Sequence, residues 1–236
     1  DSLVFIDDDP SNREFMRKFV PEVMVIDLPK DPALYCEVLE ELKVFSLFNI
    51  TQEDLERGKM YVHEKKRAQL RSSSANINSF IEQLNIKYST KKNVLGEVPR
   101  IAQLTQKTNQ FNLTTKRYSE EEITKFVKSK DFIVESIQVE DKFGDYGVTG
   151  IVIIKTEKHR WDIDSFLLSC RILGKNIEFS VMNDIINDAK ENSIGFIDAR
   201  FISTKKNAPA KDFLSRAGFK LIKEEGEESH YSLRIN

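Results

Sequence analysis

Two short apolar runs, separated by a segment of helix length, constrain the fold of this chain most strongly. Residues 3–6 read Leu-Val-Phe-Ile, and residues 23–26 read Val-Met-Val-Ile. Near-continuous hydrophobic strands are typical of parallel sheets that are buried on both faces. Such strands are joined through a right-handed crossover in nearly all proteins. The start of the chain therefore predicts an α/β unit, the edge of a doubly wound sheet.

Three carboxylates, Asp7, Asp8 and Asp9, follow the first run directly. Ligands of open α/β sheets bind beyond the carboxyl ends of strands, and Mg²⁺ prefers oxygen ligands. We therefore consider Asp7 and Asp8 as metal ligands. The alternative is a cluster that caps the next helix, with Pro10 at its first position. Because the chain enters a core strand at once and has no initiator Met, we expect a fragment whose metal site is incomplete.

Composition describes an ordinary globular protein. The chain has 236 residues, is 40% hydrophobic and has a net charge of −2, which gives no general attraction to nucleic acid or to anionic membranes. Neither is expected as a partner, and no apolar run is long enough to span a membrane. Cys36 and Cys170 are far apart, and the chain has no secretory signal, so reduced thiols in the cytoplasm are expected.

Residues 1–44 form the first predicted domain, and residues 45–108 are predicted to be a helical linker. The linker has a capping-box-like start at 51–54, a break at the serines 72–74 and a helix opened by Pro99. From residue 109 to residue 236 the pattern changes to β-α-β-β-β-α-β-α-β, beginning with a strand at 111–118. This last part predicts an α+β domain.

A possible phosphate-binding turn lies between a strand and a helix of this last domain. It has the sequence Arg-x-x-Gly-x-Asn, from Arg171 to Asn176. The free N–H groups at a helix N-terminus favour a phosphate. Taken alone, the turn is an ordinary strand-to-helix connection. It is followed, however, by Asn207 and by Ser-Arg-Ala-Gly-Phe at 215–219.

These two segments and the element order resemble the GNAT acyltransferase family. The resemblance implies a GNAT-like acyltransferase domain whose turn holds the pyrophosphate of acyl-CoA or binds phosphopantetheine. It assigns cofactor contacts to Leu168, Arg171, Gly174, Lys175, Asn176 and Asn207.

The chain departs from the GNAT pattern at two positions. Asn176 replaces a small residue that lets the phosphate approach, and Leu214 stands where many members have a Tyr that protonates the departing thiolate. Cys170 could accept an acyl group, but we interpret it as a buried packing residue. His159 is interpreted as a surface or core-edge residue rather than a base.

A segment rich in amides and hydroxyls precedes and enters the first predicted strand of the last domain. Its composition alone describes a well-capped polar junction. The sequence Lys-Thr-Asn-Gln-Phe-Asn-Leu-Thr-Thr at 107–115, however, closely resembles the signature of the FkbH-like family, and Phe-Ile-Asp-Asp-Asp-Pro at 5–10 resembles that family's last phosphatase motif.

The second resemblance implies a haloacid-dehalogenase-like (HAD) phosphatase domain, here a partial Rossmann-like parallel sheet, joined to the GNAT-like domain. Such a bacterial enzyme of polyketide-type biosynthesis takes a phosphorylated glycerate donor, removes phosphate and delivers the glyceryl group to an acyl carrier protein. Asp7 and Asp8 match its Mg²⁺ ligands. Substrate contacts are assigned to the polar motif, namely Lys107, Thr108, Asn109, Gln110 and Asn112.

The early HAD motifs would precede the first strand, so we expect the N-terminal HAD half to be a missing partner and this chain alone to have no phosphatase activity. No catalytic residue is assigned. Two alternatives stay open: an independent acyl-CoA-dependent N-acyltransferase, and a GNAT-fold module that only docks a partner. A sheet edge left open would favour self-association.

Overall fold

The computed structural model describes residues 3–42 and 57–235. The chain divides into two compact units, residues 1–50 and residues 51–236, which are described separately. The predicted helix start at 51–54 lies outside the described residues. Within the described ranges, no helix has the length and apolarity needed to cross a membrane.

The first unit has the predicted strand-helix-strand order. Its elements are β1 (Val4–Phe5), α1 (Pro10–Phe19), β2 (Met24–Val25), a 3-10 turn (Pro32–Leu34) and α2 (Tyr35–Glu41). β1 and β2 pair in parallel, as expected from their apolar runs. Both helical segments begin at an Asp followed by Pro, because Asp9 and Asp31 each accept a hydrogen bond from the backbone two residues later.

The second unit contains a large mixed sheet. Its described strands are β3 (Lys87–Lys92), β4 (Phe111–Asn112), β5 (Phe132–Asp141), β6 (Gly144–Glu157), β7 (Arg160–Leu168), β8 (Phe196–Ile202), β9 (Lys220–Glu225) and β10 (Glu228–Arg234). The strand order is β3-β5-β6-β7-β8-β10-β9, and β4 pairs with β7. Neighbours are antiparallel except β7 and β8, which are parallel.

The described helices of the second unit are α3 (Arg57–Ser73), α4 (Ile77–Leu84), α5 (Val98–Lys107), α6 (Glu120–Lys128), α7 (Ile177–Glu191) and α8 (Phe213–Arg216). Asn76 caps α4, and Ser119 with Glu122 forms a full capping box at α6. These local signals account for the positions at which both helices begin.

Helices cover both faces of the sheet, because successive side chains of β6 point in opposite directions. Ile151 and Ile153 are fully buried in the core formed with α5 and α6. Val152 and Ile154 are buried in the other core, which α7 and α8 complete. The central strand is thus apolar on both faces, and this accounts for the run of hydrophobic residues at 151–154.

Two edge strands of the sheet were not predicted from the sequence. β3 lies inside the range 45–108 that was predicted to be a helical linker, and no strand was predicted at the position of β9. Both are edge strands with charged sequences, Lys-Tyr-Ser-Thr-Lys-Lys and Lys-Leu-Ile-Lys-Glu-Glu, so they lack the apolar alternation that signals a strand. The strand predicted at 111–118 is also shorter, since only Phe111–Asn112 is assigned.

Candidate functional site

The candidate site lies where β7 and β8 separate. These parallel strands pair directly only from Arg160 to Ile163 on β7 and from Phe196 to Ala199 on β8. Both continue beyond this pairing, β7 to Leu168 and β8 to Ile202. Parallel strands end at the same sheet edge, so the separation forms a gap at the carboxyl edge, where open sheets bind ligands.

Residues 111–114, which we call the inserted segment, fill this gap. Phe111 and Asn112 pair antiparallel with Leu168 and Leu167 of β7. The N–H of Leu113 donates to the carbonyl of Phe166 (3.1 Å). On the other side, the N–H of Ile202 donates to the carbonyl of Leu113 (2.8 Å). The inserted segment thus bridges β7 and β8 as a short third strand.

The inserted segment belongs to the core of the unit. Phe111, Asn112, Leu113 and Thr114 are exposed by 3% or less. The ring of Phe111 packs edge-on against Phe166 and Phe213, with centroid distances of 5.7 and 5.2 Å. Edge-to-face aromatic contacts add to the stabilisation from burial. The segment is therefore held by both backbone pairing and side-chain packing.

Asn112 uses its amide within its own loop. Its Nδ2 donates to the carbonyl of Thr108 (3.1 Å), and its Oδ1 accepts from the N–H of Thr115 (2.8 Å). Thr115 has a φ of 53°, a left-handed conformation that is rare for a non-glycine residue. The buried amide thus stabilises a tight turn from Thr108 to Thr115.

Asn207 fixes the inserted segment from the β8 side. Its Nδ2 donates to the carbonyls of Asn112 (2.9 Å) and Ile202 (2.8 Å). Its Oδ1 accepts from the N–H (2.8 Å) and the hydroxyl (3.0 Å) of Thr204. These bonds use both donors and both acceptor positions of a fully buried amide. Asn207 could contact a cofactor only by giving up one of them.

The other predicted substrate residues have different surroundings. Lys107 and Gln110 are exposed, and Thr108 is buried. The half-buried Asn109 accepts a hydrogen bond from the guanidinium of Arg117. The structure therefore gathers Thr108, Asn112 and Asn207 into one buried network, and it leaves Lys107 and Gln110 at the surface.

The predicted phosphate turn follows β7 at the same sheet edge. Leu168 is fully buried, Arg171 and Lys175 are half-buried, and Gly174 and Asn176 are exposed. Gly174 has a φ of 72° and Asn176 a φ of 60°, and Asn tolerates this conformation better than most residues. Asn176 precedes α7 without capping it by a side-chain hydrogen bond.

A buried carboxylate lies in the first turn of α7. Glu178 is 9% exposed, and its Oε2 has no hydrogen-bond partner among the described residues. Burial raises the pKa of Glu178, while its own backbone N–H and the charge of Arg216 oppose that rise. The first turn of α7 thus holds a buried carboxyl group.

A buried charged cluster, not predicted from the sequence, lies beside the turn. Arg67 of α3 forms two hydrogen bonds with Asp141 of β5 (2.7 and 3.0 Å), and the hydroxyl of Tyr146 donates to the same carboxylate (2.7 Å). The ammonium of Lys175 lies 4.7 Å from the Tyr146 ring centroid and donates to the carbonyl of Arg171. The turn is thus connected to helix α3.

The cluster changes the titration of its members. Burial, and then the nearby charge of Arg67, lowers the pKa of Lys175 to about 8. Burial alone would raise the pKa of Asp141, but hydrogen bonds from Arg67 and Tyr146 outweigh this effect and lower it. The pair of Arg67 and Asp141 is visible only in the structure, because 74 positions separate the two residues in sequence.

The prediction that Cys170 is a buried strand residue was wrong. β7 ends at Leu168, and Cys170 begins a 3-10 turn, Cys170–Ile172, in which it is exposed. Leu214 is fully buried in the core. His159 is exposed in the turn that precedes β7, at the end opposite to the gap. An accessible thiol therefore lies beside the phosphate turn.

The acidic cluster of the first unit acts mainly in local hydrogen bonding. Asp7 accepts from the N–H of Asp9 (2.8 Å) and from the amide of Asn12, and Asp9 caps α1. Arg13 donates to the carbonyls of Asp7 and Asp8. In residues 3–42 and 57–235, no three His, Cys, Asp or Glu side chains are placed to hold a metal ion. The described residues do not fit a Mg²⁺ site.

Comparison with known proteins supports the fold of the second unit. No family model matches the chain, and no curated protein matches it. Solved structures do match: a domain from Methanocaldococcus jannaschii (14% identity, TM-score 0.52) covers 64% of this chain and 100% of that chain. A candidate GNAT acetyltransferase from Desulfovibrio desulfuricans (11%, 0.51) covers 64% and 99%, and Ard1 from Thermoplasma volcanium (11%, 0.50) covers 63% and 98%.

These similarities show a GNAT-type fold, which the sequence predicted for the last part of the chain. They say nothing about the first unit. Acyl-CoA, the cofactor that this fold implies, fits the site poorly. The turn offers left-handed residues at a helix N-terminus, but the gap beside it is filled by the inserted segment, and a buried carboxyl group, that of Glu178, lies in the first turn of α7.

Proposed function

We propose that this chain supplies the acyl-transfer part of an FkbH-like enzyme, which passes a glyceryl group to the phosphopantetheine thiol of an acyl carrier protein. In this proposal Cys170 holds the group during transfer. The observation that supports it is the exposed thiol of Cys170, which follows β7 beside the inserted segment that carries part of the FkbH-like motif. The GNAT-type fold supports acyl transfer in general.

The chemistry suits a cysteine. Cys170 loses its proton, and the thiolate attacks the carbonyl carbon of a glyceryl thioester on the carrier protein; a new C–S bond forms, the old thioester C–S bond breaks, and the carrier protein leaves as a thiolate that takes up a proton. The reverse step loads the carrier protein and frees Cys170. Both sides contain one thiol and one thioester, so no oxidant or further reactant is needed. Thiolates are strong nucleophiles in such exchanges.

Basic residues at the same sheet edge would attract the anionic phosphodiester of the arm. Arg171 follows Cys170 directly, and the exposed Lys205 and Lys206 follow β8. Because β7 and β8 are parallel, both loops leave the sheet on the same side as the gap. Clustered positive charge raises the local concentration of an anionic ligand.

Intact-mass spectrometry tests this proposal with the chain as it is. Incubation with a glyceryl-loaded carrier protein should add the mass of one glyceryl group to the chain, and hydroxylamine should remove it, as it does from thioesters. Cys170→Ala should abolish the adduct. Cys36→Ala is the matched control, because Cys36 is the other exposed cysteine, and it should leave the adduct unchanged. Labelling that persists in Cys170→Ala would refute the proposal.

The second candidate is an acyl-CoA-dependent N-acyltransferase. The similarity to GNAT acetyltransferase structures favours it as much as it favours the first candidate. Saturable binding of acetyl-CoA, together with acetylation of an amine substrate and no adduct on Cys170, would replace our proposal with this one. We assign no step of the proposed transfer to the predicted HAD half or to its Mg²⁺.

A further inference from the structure

We infer that Lys175 is an acyl acceptor, whose amine takes the acyl group from the Cys170 thioester and forms a stable amide. The inference rests on the proposed function, since Cys170 supplies the acyl group. It adds a second activity to the unit, the N-acylation of its own lysine. The amine of Lys175 and the thiol of the carrier protein then compete for the same acyl group.

Lys175 and Cys170 belong to the same turn after β7. Cys170 begins the 3-10 turn, and the N–H of Leu173 donates to its carbonyl (3.4 Å). The side chain of Lys175 folds back on this turn, because its ammonium donates to the carbonyl of Arg171, the residue next to Cys170. Consecutive Cα atoms are about 3.8 Å apart, so the amine lies beside the backbone that carries the thiol.

The turn is accessible from outside. Cys170, Gly174 and Asn176 are exposed. Apart from its two chain neighbours, a Cβ atom added to Gly174 would meet no atom of the described residues within 4 Å. Lysine has a flexible four-carbon stem, so Lys175 can exchange its bond to the Arg171 carbonyl for an approach to the neighbouring thioester. The turn therefore has open space next to the lysine.

The buried cluster beside the turn disfavours the charged form of Lys175. The guanidinium of Arg67 (3.9 Å) and the ammonium of Lys175 (4.7 Å) both lie close to the ring centroid of Tyr146. The carboxylate of Asp141 pairs with Arg67 (2.7 Å) and also accepts from the hydroxyl of Tyr146 (2.7 Å). The nearby negative charge is thus bonded to Arg67 rather than to Lys175.

This environment makes Lys175 a nucleophile near neutral pH. Burial, and then the charge of Arg67, lowers the pKa of Lys175 to about 8, from an ordinary value of 10.5. At pH 8 about half of the amine is then uncharged, on the order of 100-fold more than for an ordinary lysine. Desolvation next to another cationic group is one of the ways in which proteins activate a lysine amine.

The transfer balances without a further reactant. The uncharged amine of Lys175 attacks the carbonyl carbon of the Cys170 thioester, a C–N bond forms and the C–S bond breaks. The amine loses one proton and the departing thiolate takes up one proton. One amine and one thioester thus become one amide and one thiol. Because amides are more stable than thioesters, the step runs in one direction.

Intact-mass spectrometry after long incubation with the glyceryl-loaded carrier protein tests the inference. We expect first a labile adduct on Cys170, which hydroxylamine removes, and then a resistant adduct, which it does not remove. Peptide mapping should place the resistant adduct on Lys175, at least about 10-fold above the exposed Lys190 of α7 at pH 8. This preference should shrink as the pH rises towards 10.5, because ordinary lysines then lose their charge as well.

Three variants assign the adducts. Lys175→Arg keeps a cation at the turn but has no amine that can be acylated, so it should remove the resistant adduct. Lys190→Arg is the matched control and should leave that adduct in place. Cys170→Ala should abolish both adducts.

The possible failures are distinguishable. A labile adduct on Cys170 without a resistant one would overturn the inference and leave the proposed function standing. Equal resistant labelling of Lys175 and Lys190 would also overturn it, because the transfer would then not be selective. Absence of the labile adduct from both the wild type and Lys175→Arg, or a resistant adduct that persists in Cys170→Ala, would refute the proposed function and the inference with it.

Discussion

The acidic cluster of the first unit and the inserted segment of the second are both polar sequences beside the ends of parallel strands, yet their surroundings differ. Asp8 and Asp9 are exposed, and the described hydrogen bonds of their neighbour Asp7 reach no further than Arg13, six residues away. Asn112 is fully buried, and its backbone carbonyl accepts from Asn207, 95 positions away. The acidic cluster is solvated and bonds to residues near it in sequence, whereas the inserted segment connects parts of the core that are far apart in sequence.

This difference shows what polar density in a sequence can mean. A buried amide whose donors and acceptors are all paired is part of the structure, because each group would be costly to leave unpaired. A solvated carboxylate has oxygen atoms free to bind a ligand, but a bound cation needs further oxygen ligands around it. The two motifs therefore differ in how many of their hydrogen-bonding groups are left unpaired, rather than in residue type.

The largest effect is expected for Asn207→Asp. The replacement has the same shape, but it cannot donate to Asn112 and Ile202, and it places a negative charge among their carbonyls. We expect the free energy of unfolding to fall by about 3 kcal/mol, the sum of two lost buried bonds and an unpaired charge. Urea denaturation followed by circular dichroism measures this change.

Asn109→Asp is the matched control for that substitution within the polar motif. Asn109 is half-buried and accepts from Arg117, a role that a carboxylate keeps. Its effect should stay within about 0.5 kcal/mol, as for most substitutions outside the core. Equal losses from both variants would mean that burial and pairing do not separate the two positions.

The pH dependence of Lys175→Met should give an intermediate effect. In the folded protein, burial and Arg67 lower the pKa of Lys175 to about 8, from an ordinary value of 10.5. Between these values the unfolded chain binds more protons, so this group makes the wild type more stable as pH rises from 8 to 10.5. At pH 7 the buried ammonium is unfavourable, and the Met variant should be the more stable protein.

That advantage should shrink by roughly 1 kcal/mol between pH 7.5 and pH 9.5, a value reduced for solvent screening of a half-buried group. Urea denaturation of both proteins at the two pH values measures it. The shifted titration of Tyr146 is common to both proteins and cancels in the difference. An advantage that is constant with pH would show that Lys175 titrates as an ordinary lysine.

Local signals predicted much of this fold. Asp9 with Pro10, Ser119 with Glu122, and the apolar run at 151–154 each act within a few residues, so a single sequence reveals them. The inserted segment is different. Its alternation predicts a strand, but its position between β7 and β8 depends on Asn207 and Ile202, far along the chain.

The charged parts of the site could be predicted least. Nothing near Glu178 in the sequence indicates that its carboxylate is buried without a described partner. The exposure of Cys170 depends on β7 ending two residues earlier than its hydrophobic pattern suggests. A shift of two residues at a strand end therefore changed a thiol from a packing residue into the proposed acyl carrier.

The smallest effect is expected for Asp7→Asn with Mg²⁺. Asp7 accepts from Asp9 and Asn12, and an Asn keeps an acceptor for these bonds, so the free energy of unfolding should change by less than about 0.5 kcal/mol. Calorimetric titration of the wild type with Mg²⁺ should give no saturable binding at micromolar concentrations. Asp31→Asn, in the other Asp-Pro helix start of the unit, controls for the loss of one negative charge. Micromolar Mg²⁺ binding that is lost in Asp7→Asn and kept in Asp31→Asn would contradict this prediction. It would show that the acidic cluster has enough oxygen ligands for a metal site. The acidic cluster and the inserted segment would then differ in the ligand that each binds, and not in the number of unpaired hydrogen-bonding groups.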